Sequence, residues 1–184
     1  TTPVHPEVVD RMTSALAQTG NASSVHRFGR LARRMVDDAR EAVAQLVKSS
    51  AANVVFTSGG TEANNLALRG VSGQAVVSAV EHDSVLAARA DASKIPVDHN
   101  GVVDLDQLRE MLVGRDEQVV VSVMYANNET GVIQPIAEIV SLAKKHGALV
   151  HCDAIQAAGK LSVSMCELGV DLLSLSAPKI GGRS

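Results

Sequence analysis

The chain has 184 residues, 46% of them hydrophobic, and a formal net charge of -3. That is enough apolar content for one sizeable core and too little positive charge for nucleic acid or an anionic membrane to be its main partner. With two Phe, one Tyr and no Trp, the core has to be built from Val, Ala, Leu and Ile, the composition of buried parallel strands.

No apolar stretch reaches the length of a membrane span and no basic-then-apolar leader is present, so the expectation is a cytoplasmic protein. The chain opens on Thr1-Thr2-Pro3 without methionine, which reads as a cropped beginning. Residues 6–18 carry Val8, Val9, Met12 and Leu16 at helical spacing, closed by Gly20. A polar loop follows over 21–26, then a long amphipathic helix through Phe28, Leu31, Met35, Val43 and Leu46, ending near Ser49. Its basic residues Arg27, Arg30, Arg33 and Arg34 are offset by Asp37, Asp38 and Glu41 and read as a solvated face.

Residues 54–56 are a short β-branched and aromatic run, expected as a strand. Residues 57–60 are small and Gly-rich, and 61–68 are helix-compatible with Thr61 placed to cap. A helix that starts just after a glycine turn aims unpaired N–H groups and the positive end of its dipole at one spot, which favours a phosphate. Ordinary capping chemistry accounts for the same residues, and the nucleotide-binding G-x-x-x-x-G-K-[ST] spacing is absent.

Further strands are expected at 75–80, 95–98, 119–125, 148–152 and 171–176. Helices are expected from 81 through 92, after Asp104 as a cap, from Pro135 to His146, and briefly around 165–168. Alternating strands and helices argue for one α/β domain over 1–184, three-layered, with a mostly parallel sheet flanked by helices. Cys152 and Cys166 lie fourteen positions apart with no CxxC pair and no zinc-spaced partners, so neither a disulfide framework nor a metal site is expected.

Polar residues collect where the expected strands end: Ser58 to Thr61, Glu81-His82, Asn127-Asn128, Asp153, and Ser176 to Lys179. Ligands of open α/β sheets sit outside those ends. Singly, Asp153 reads as well as a helix cap, His82 and Asn128 as turn residues, and Lys179 as a surface lysine. Together they supply what pyridoxal phosphate requires: a lysine to join it, a carboxylate for the pyridine nitrogen, a phosphate cradle and something flat against the ring.

The runs FTSGGTEANNLAL from Phe56, EHDSV from Glu81, MYANNETGVIQPI from Met124, HCDAIQAAGK from His151 and DLLSLSAPKIGG from Asp171 resemble the cysteine desulfurases of the class V aminotransferase group across nearly the whole chain. The resemblance implies the large domain of a fold-type I pyridoxal phosphate enzyme. Such an enzyme removes sulfur from L-cysteine, leaves L-alanine, and forms a persulfide for a sulfur acceptor or iron–sulfur scaffold protein. It also implies a homodimer.

Carried over by position, the resemblance makes Lys179 the cofactor-joining lysine and Asp153 the partner of the pyridinium nitrogen. His82 becomes the ring-stacking, proton-handling histidine. Gly60, Thr61 and Ser176 become phosphate contacts, and Asn128 and Gln156 hold the ring's phenolate edge and the substrate side.

Two departures stand out. Pro178 replaces the histidine that precedes the lysine in the family, offering no imidazole to the phosphate and disfavouring helical geometry at Ala177. Neither cysteine matches the family's persulfide position, and the small domain with its mobile loop and substrate arginine does not follow Arg183-Ser184. The expectation is therefore an incomplete large domain, inactive alone. The alternatives are another class V enzyme, such as a selenocysteine lyase or an aminotransferase, and a truncated noncatalytic binding or dimerisation protein.

Overall fold

The computed structural model describes residues 2–182. They fall into two compact units, Thr57–Ser176 and a second unit made of Thr1–Phe56 with Ala177–Ser184.

In the second unit, α1 (Pro6–Leu16) starts with Pro at its first position and Glu7 in its first turn, both favourable at an end whose N–H groups have no helical partner. Helix α2 (Arg27–Leu46) is capped by His26, whose Nδ1 accepts from Gly29 N at 3.3 Å. The apolar stripe of α2 is present but open: Phe28, Leu31, Met35 and Val36 are exposed. A 3-10 turn, Ala51–Asn53, follows.

Residues 54–56 correct the expectation of a strand there. They are extended, yet the Val54 carbonyl accepts from the Arg40 guanidinium instead of a neighbouring strand, and that guanidinium lies 5.2 Å from the Phe56 ring centre. The second correction lies at 177–179, where Ala177 and Pro178 enter a single 3-10 turn with Lys179. Proline is tolerated in a first turn, where its missing N–H is not needed.

The unit Thr57–Ser176 is built on five parallel strands, β1 (Gln74–Ser78), β2 (Ser93–Ile95), β3 (Val119–Met124), β4 (Leu149–Asp153) and β5 (Leu172–Ser174), in the order β2-β1-β3-β4-β5. Strand β3 is buried along its whole length, as expected of a central strand covered on both faces. Strands β1 and β2 end earlier than expected for local reasons. Pro96 cannot donate to a ladder and ends β2 at Ile95. Ser78 Oγ and O accept from Val80 N and Glu81 N at 3.3 and 3.4 Å, turning the chain out of β1.

The helices are α3 (Gly60–Arg69), α4 (Asp83–Leu86), α5 (Leu105–Leu112), α6 (Ile136–Lys145) and α7 (Met165–Leu168). Helix α4 stops well short of the expected residue 92. Asp104 caps α5 as expected, accepting from Asp106 N and Gln107 N at 3.0 Å each.

Because β2 lies on one side of β1 and β3 on the other, right-handed crossovers put α4 on one face of the sheet and α5, α6 and α7 on the other. The packing of α3 on α4, and of α6 on both α5 and α7, agrees with this. On the α3/α4 face, Leu68 and Val85 pack with Ala75, Val77 and Val120. Strand register places Ser122, His151, Met124, Asp153 and Ser174 on that same face.

His151 is fully buried there, with Nδ1 2.8 Å from Ser122 Oγ and Nε2 2.9 Å from Ser174 Oγ. Burial lowers its pKa from 6.5 to about 4, so the unfolded chain binds the proton more readily than the native one. The stability this neutral ring contributes is present above about pH 6.5 and lost as pH falls towards 4, about 3 kcal/mol in all. In denaturant titrations, the stability gap between the unmodified chain and His151→Gln should shrink by about that amount between pH 7 and pH 4. A gap that stays constant would show that His151 is not held neutral.

Candidate active site

Strand order reverses between β1 and β3, so the chain leaving β1 turns one way and the chain leaving β3 the other. In an open α/β sheet that divergence, outside the carboxyl ends, is where a ligand fits. Two side chains tie the exits together: Glu81 Oε1 accepts from Met124 N at 2.5 Å, and Asn127 Nδ2 donates to Val80 O at 3.1 Å. Asn127 Oδ1 also accepts from Glu129 N and Thr130 N, both at 2.9 Å, shaping the turn after β3.

Asp153 ends β4 beside Met124 in register. It is 4% exposed, and both of its carboxylate oxygens are held. Oδ1 accepts from Ile155 N at 3.0 Å and Oδ2 from Asn64 Nδ2 at 2.7 Å. Burial pushes its pKa up, while the Ile155 and Asn64 donors pull it back.

Asn64 Nδ2 also lies 2.9 Å from Ser84 Oγ, which is itself 2.9 Å from His82 Nδ1. Ser84 N donates to the same Nδ1 at 3.1 Å. A backbone N–H can only donate, so Nδ1 is an acceptor and the neutral ring carries its proton on Nε2. His82 itself is exposed.

Glu81 stands near Asp153 and is 6% exposed; its Oε2 is buried with no partner among the described residues. Burial pushes its pKa well up, the Met124 N–H opposes that, and Asp153 adds to it. Two buried carboxyls this close do not both ionise readily. Asp153 has two donors in contact and Glu81 one, so of the two carboxyls Asp153 is the better stabilised in its charged form.

Helix α3 begins with Gly59 at its cap and no side-chain cap bond, which corrects the expectation that Thr61 caps it. Thr61 sits inside the first turn and is exposed. Glu62 Oε2 instead accepts from Ser58 N at 2.6 Å and steadies the loop before the helix. A Cβ added to Gly60 would overlap Ile155 Cδ1 and come within 3.7 Å of Ser176 Cβ. Glycine at this position therefore keeps the helix start close to the chain leaving β4 and β5.

The remaining expected residues divide. Ser176, half-buried after β5, joins Gly60, and Gln156 is half-buried just beyond Asp153. The Gln156 carbonyl and Oε1 take Lys160 Nζ at 2.9 and 3.5 Å. Asn128 is exposed at the β3 exit, where its neighbour Asn127 makes the anchoring bonds. Lys179 belongs to the other unit, half-buried at the end of the 3-10 turn.

Cys152 points to the sheet face opposite Asp153 and is fully buried; burial, with Asp153 and Glu81 nearby, pushes its thiol pKa far up. It is a packing residue and no nucleophile. Cys166 is exposed in α7.

Asn64, Ser84, Glu81 and Asn127 had no role assigned to them from the sequence. Glu81 and Asn127 were named among the polar residues at the strand exits, beside His82 and Asn128. Asn64, on a helix whose neighbouring positions are polar, gave no such signal.

The chain matches the family Aminotransferase class-V over residues 1–184. It is 41% identical to a cysteine desulfurase IscS of Dictyoglomus turgidum over 197 aligned residues, covering 99% of this chain and 50% of that protein. A NifS-like protein from Rickettsia africae superposes with a TM-score of 0.95 at 35% identity, over 100% of this chain and 54% of that one. A structure described as SspA in complex with cysteine superposes at 0.92 with 29% identity, over 100% and 57%. The chain spans about half the length of the curated relatives it matches.

Proposed function

The chain belongs to the aminotransferase class-V family, and on that premise we propose that it forms the pyridoxal phosphate-binding part of a cysteine desulfurase. In this reading the C–S bond of L-cysteine breaks and its carbon takes a proton to become L-alanine. The sulfur joins a thiolate as a persulfide, bound for an acceptor or iron–sulfur scaffold protein. The identities to cysteine desulfurases and the cysteine complex of one structural relative support the substrate. A cytoplasmic homodimer is part of the same reading; no helix among the described residues is long and apolar enough to cross a membrane.

The observation that carries it is the buried carboxylate of Asp153, held by Ile155 N and Asn64 Nδ2 at the point where the strand order reverses. The residues fit the cofactor. A side chain at Gly60 would fill the start of α3, and the uncapped first turn offers N–H groups of the kind a phosphate takes. Bound pyridoxal phosphate supplies a ring that accepts electrons from the substrate carbon.

The chain's own residues do the rest. Asp153 would hold the proton of the pyridine nitrogen through the charge of its carboxylate, oriented by Ile155 N and Asn64 Nδ2. Gly60, Thr61 and Ser176 would take the phosphate, and Asn128 and Gln156 the ring's oxygen edge and the substrate side. His82 would lie against the ring, its Nδ1 engaged by Ser84 and its Nε2 free to pass a proton. Lys179 would provide the amine that joins the cofactor and moves protons at the substrate carbon.

The test supplies L-cysteine and a thiol reductant to the protein carrying this chain and measures sulfide, alanine and oxo acid. Sulfide and alanine in equal amounts are expected. Formation of the oxo acid in place of alanine would make the enzyme an aminotransferase and overturn the reading.

A further inference from the structure

Asn64 lies four residues after Gly60, on the same face of α3, and is fully buried. Its amide nitrogen is committed twice, to Asp153 Oδ2 at 2.7 Å and to Ser84 Oγ at 2.9 Å, while its Oδ1 is buried with no partner among the described residues. Leaving a buried acceptor unmade costs about 1–3 kcal/mol. The arrangement holds because the reversed amide would set Oδ1 against the carboxylate of Asp153, acceptor against acceptor. The amide orientation and the charge on Asp153 are thus one choice.

From Ser84 the chain of bonds continues to His82 Nδ1 at 2.9 Å. His82 Nδ1 is an acceptor, so the Ser84 hydroxyl hydrogen points to the ring while Oγ accepts from Asn64. The donor direction is fixed throughout, from Asn64 through Ser84 to His82 on one branch and from Asn64 to Asp153 on the other.

We propose that Asn64 is a positioning residue of this site: with one amide hydrogen it holds Asp153 as the oriented carboxylate, and with the other it fixes Ser84 and, through it, the ring of His82. Gly60, which shapes the phosphate end, and Asn64, which sets the ring-nitrogen end, then stand one helical turn apart on one rigid element. The meaning of this role for catalysis rests on the cofactor reading above; the hydrogen-bond role itself does not.

The groups around Asp153 limit what else sets its charge. Glu81 faces it from the β1 exit and His82 from the cap of α4. The neighbours in register on β3 and β5 are Met124 and Ser174, and α3 presents Asn64, all uncharged.

The test is NMR on the protein carrying this chain, freed of cofactor, with labelled Asp carboxyl carbons and Asn side-chain amides. In the unmodified chain one Asn64 Nδ2 proton should move with pH at the same midpoint as the Asp153 carboxyl. In Asn64→Leu, similar in size but without a donor, the Asp153 midpoint should rise by about one to two pH units. Ser84→Ala should leave the Asp153 midpoint in place while increasing the mobility of the His82 ring. An Asn64 amide that ignores the titration of Asp153 would overturn the proposal, and so would an unmoved midpoint in folded Asn64→Leu. The first of these needs no substitution, so a variant that fails to fold does not shield the idea. If the titrations come out as expected but the chain binds no pyridoxal phosphate, the cofactor reading fails and the role of Asn64 stands.

Discussion

Asp153→Asn is expected to lower kcat of the protein carrying this chain by about a hundred- to a thousandfold, the scale seen when one preorganised charge contact is removed from a developing charge. The structure also gives a second, smaller reason. Both Asp153 oxygens accept, one from Ile155 N and one from Asn64 Nδ2. An amide has one oxygen, so its NH2 must face one of those donors, and one bond is lost. Cofactor affinity should therefore fall modestly and kcat heavily. Steady-state kinetics with cofactor in excess separate the two, and a kcat near that of the unmodified protein would remove the role assigned to Asp153.

Lys179→Ala is expected to abolish covalent attachment of pyridoxal phosphate and to cost about a thousandfold in turnover, since in the proposed reading the same amine would join the cofactor and move protons. Lys160 and Lys144 are poor substitutes because their surroundings occupy them. Lys160 Nζ is held by the carbonyl of Gln156 at 2.9 Å, and Lys144 Nζ lies 3.5 Å from Asp171 Oδ1. Added small amines should restore part of the activity of the variant by supplying the missing base. Turnover that persists in Lys179→Ala without such amines would contradict the assignment.

The parallel sheet could be read from the sequence because runs such as Val119 to Met124 are apolar on both faces, and only a strand covered on both sides needs that. Residues 54–56 looked the same locally, yet what decides pairing is the partner, and the partner there is the Arg40 side chain. The strand exits carrying His82, Asn128 and Asp153 were legible because turn-forming polar residues follow apolar runs. Strand order was not, since no periodicity records that β1 neighbours β3, and so the point of reversal became visible only in the fold. Asn64 was hidden for a related reason. A polar side chain within a short amphipathic helix reads as solvent-facing until the fold buries it against Asp153.

The most direct measurement of the central claim is to load the protein carrying this chain with pyridoxal phosphate, reduce it with borohydride, and map the modified peptide by mass spectrometry. The account predicts one modified lysine, Lys179, and no label in Lys179→Ala. Label on Lys160 or Lys144, or none at all on a protein that demonstrably binds the cofactor, would contradict it.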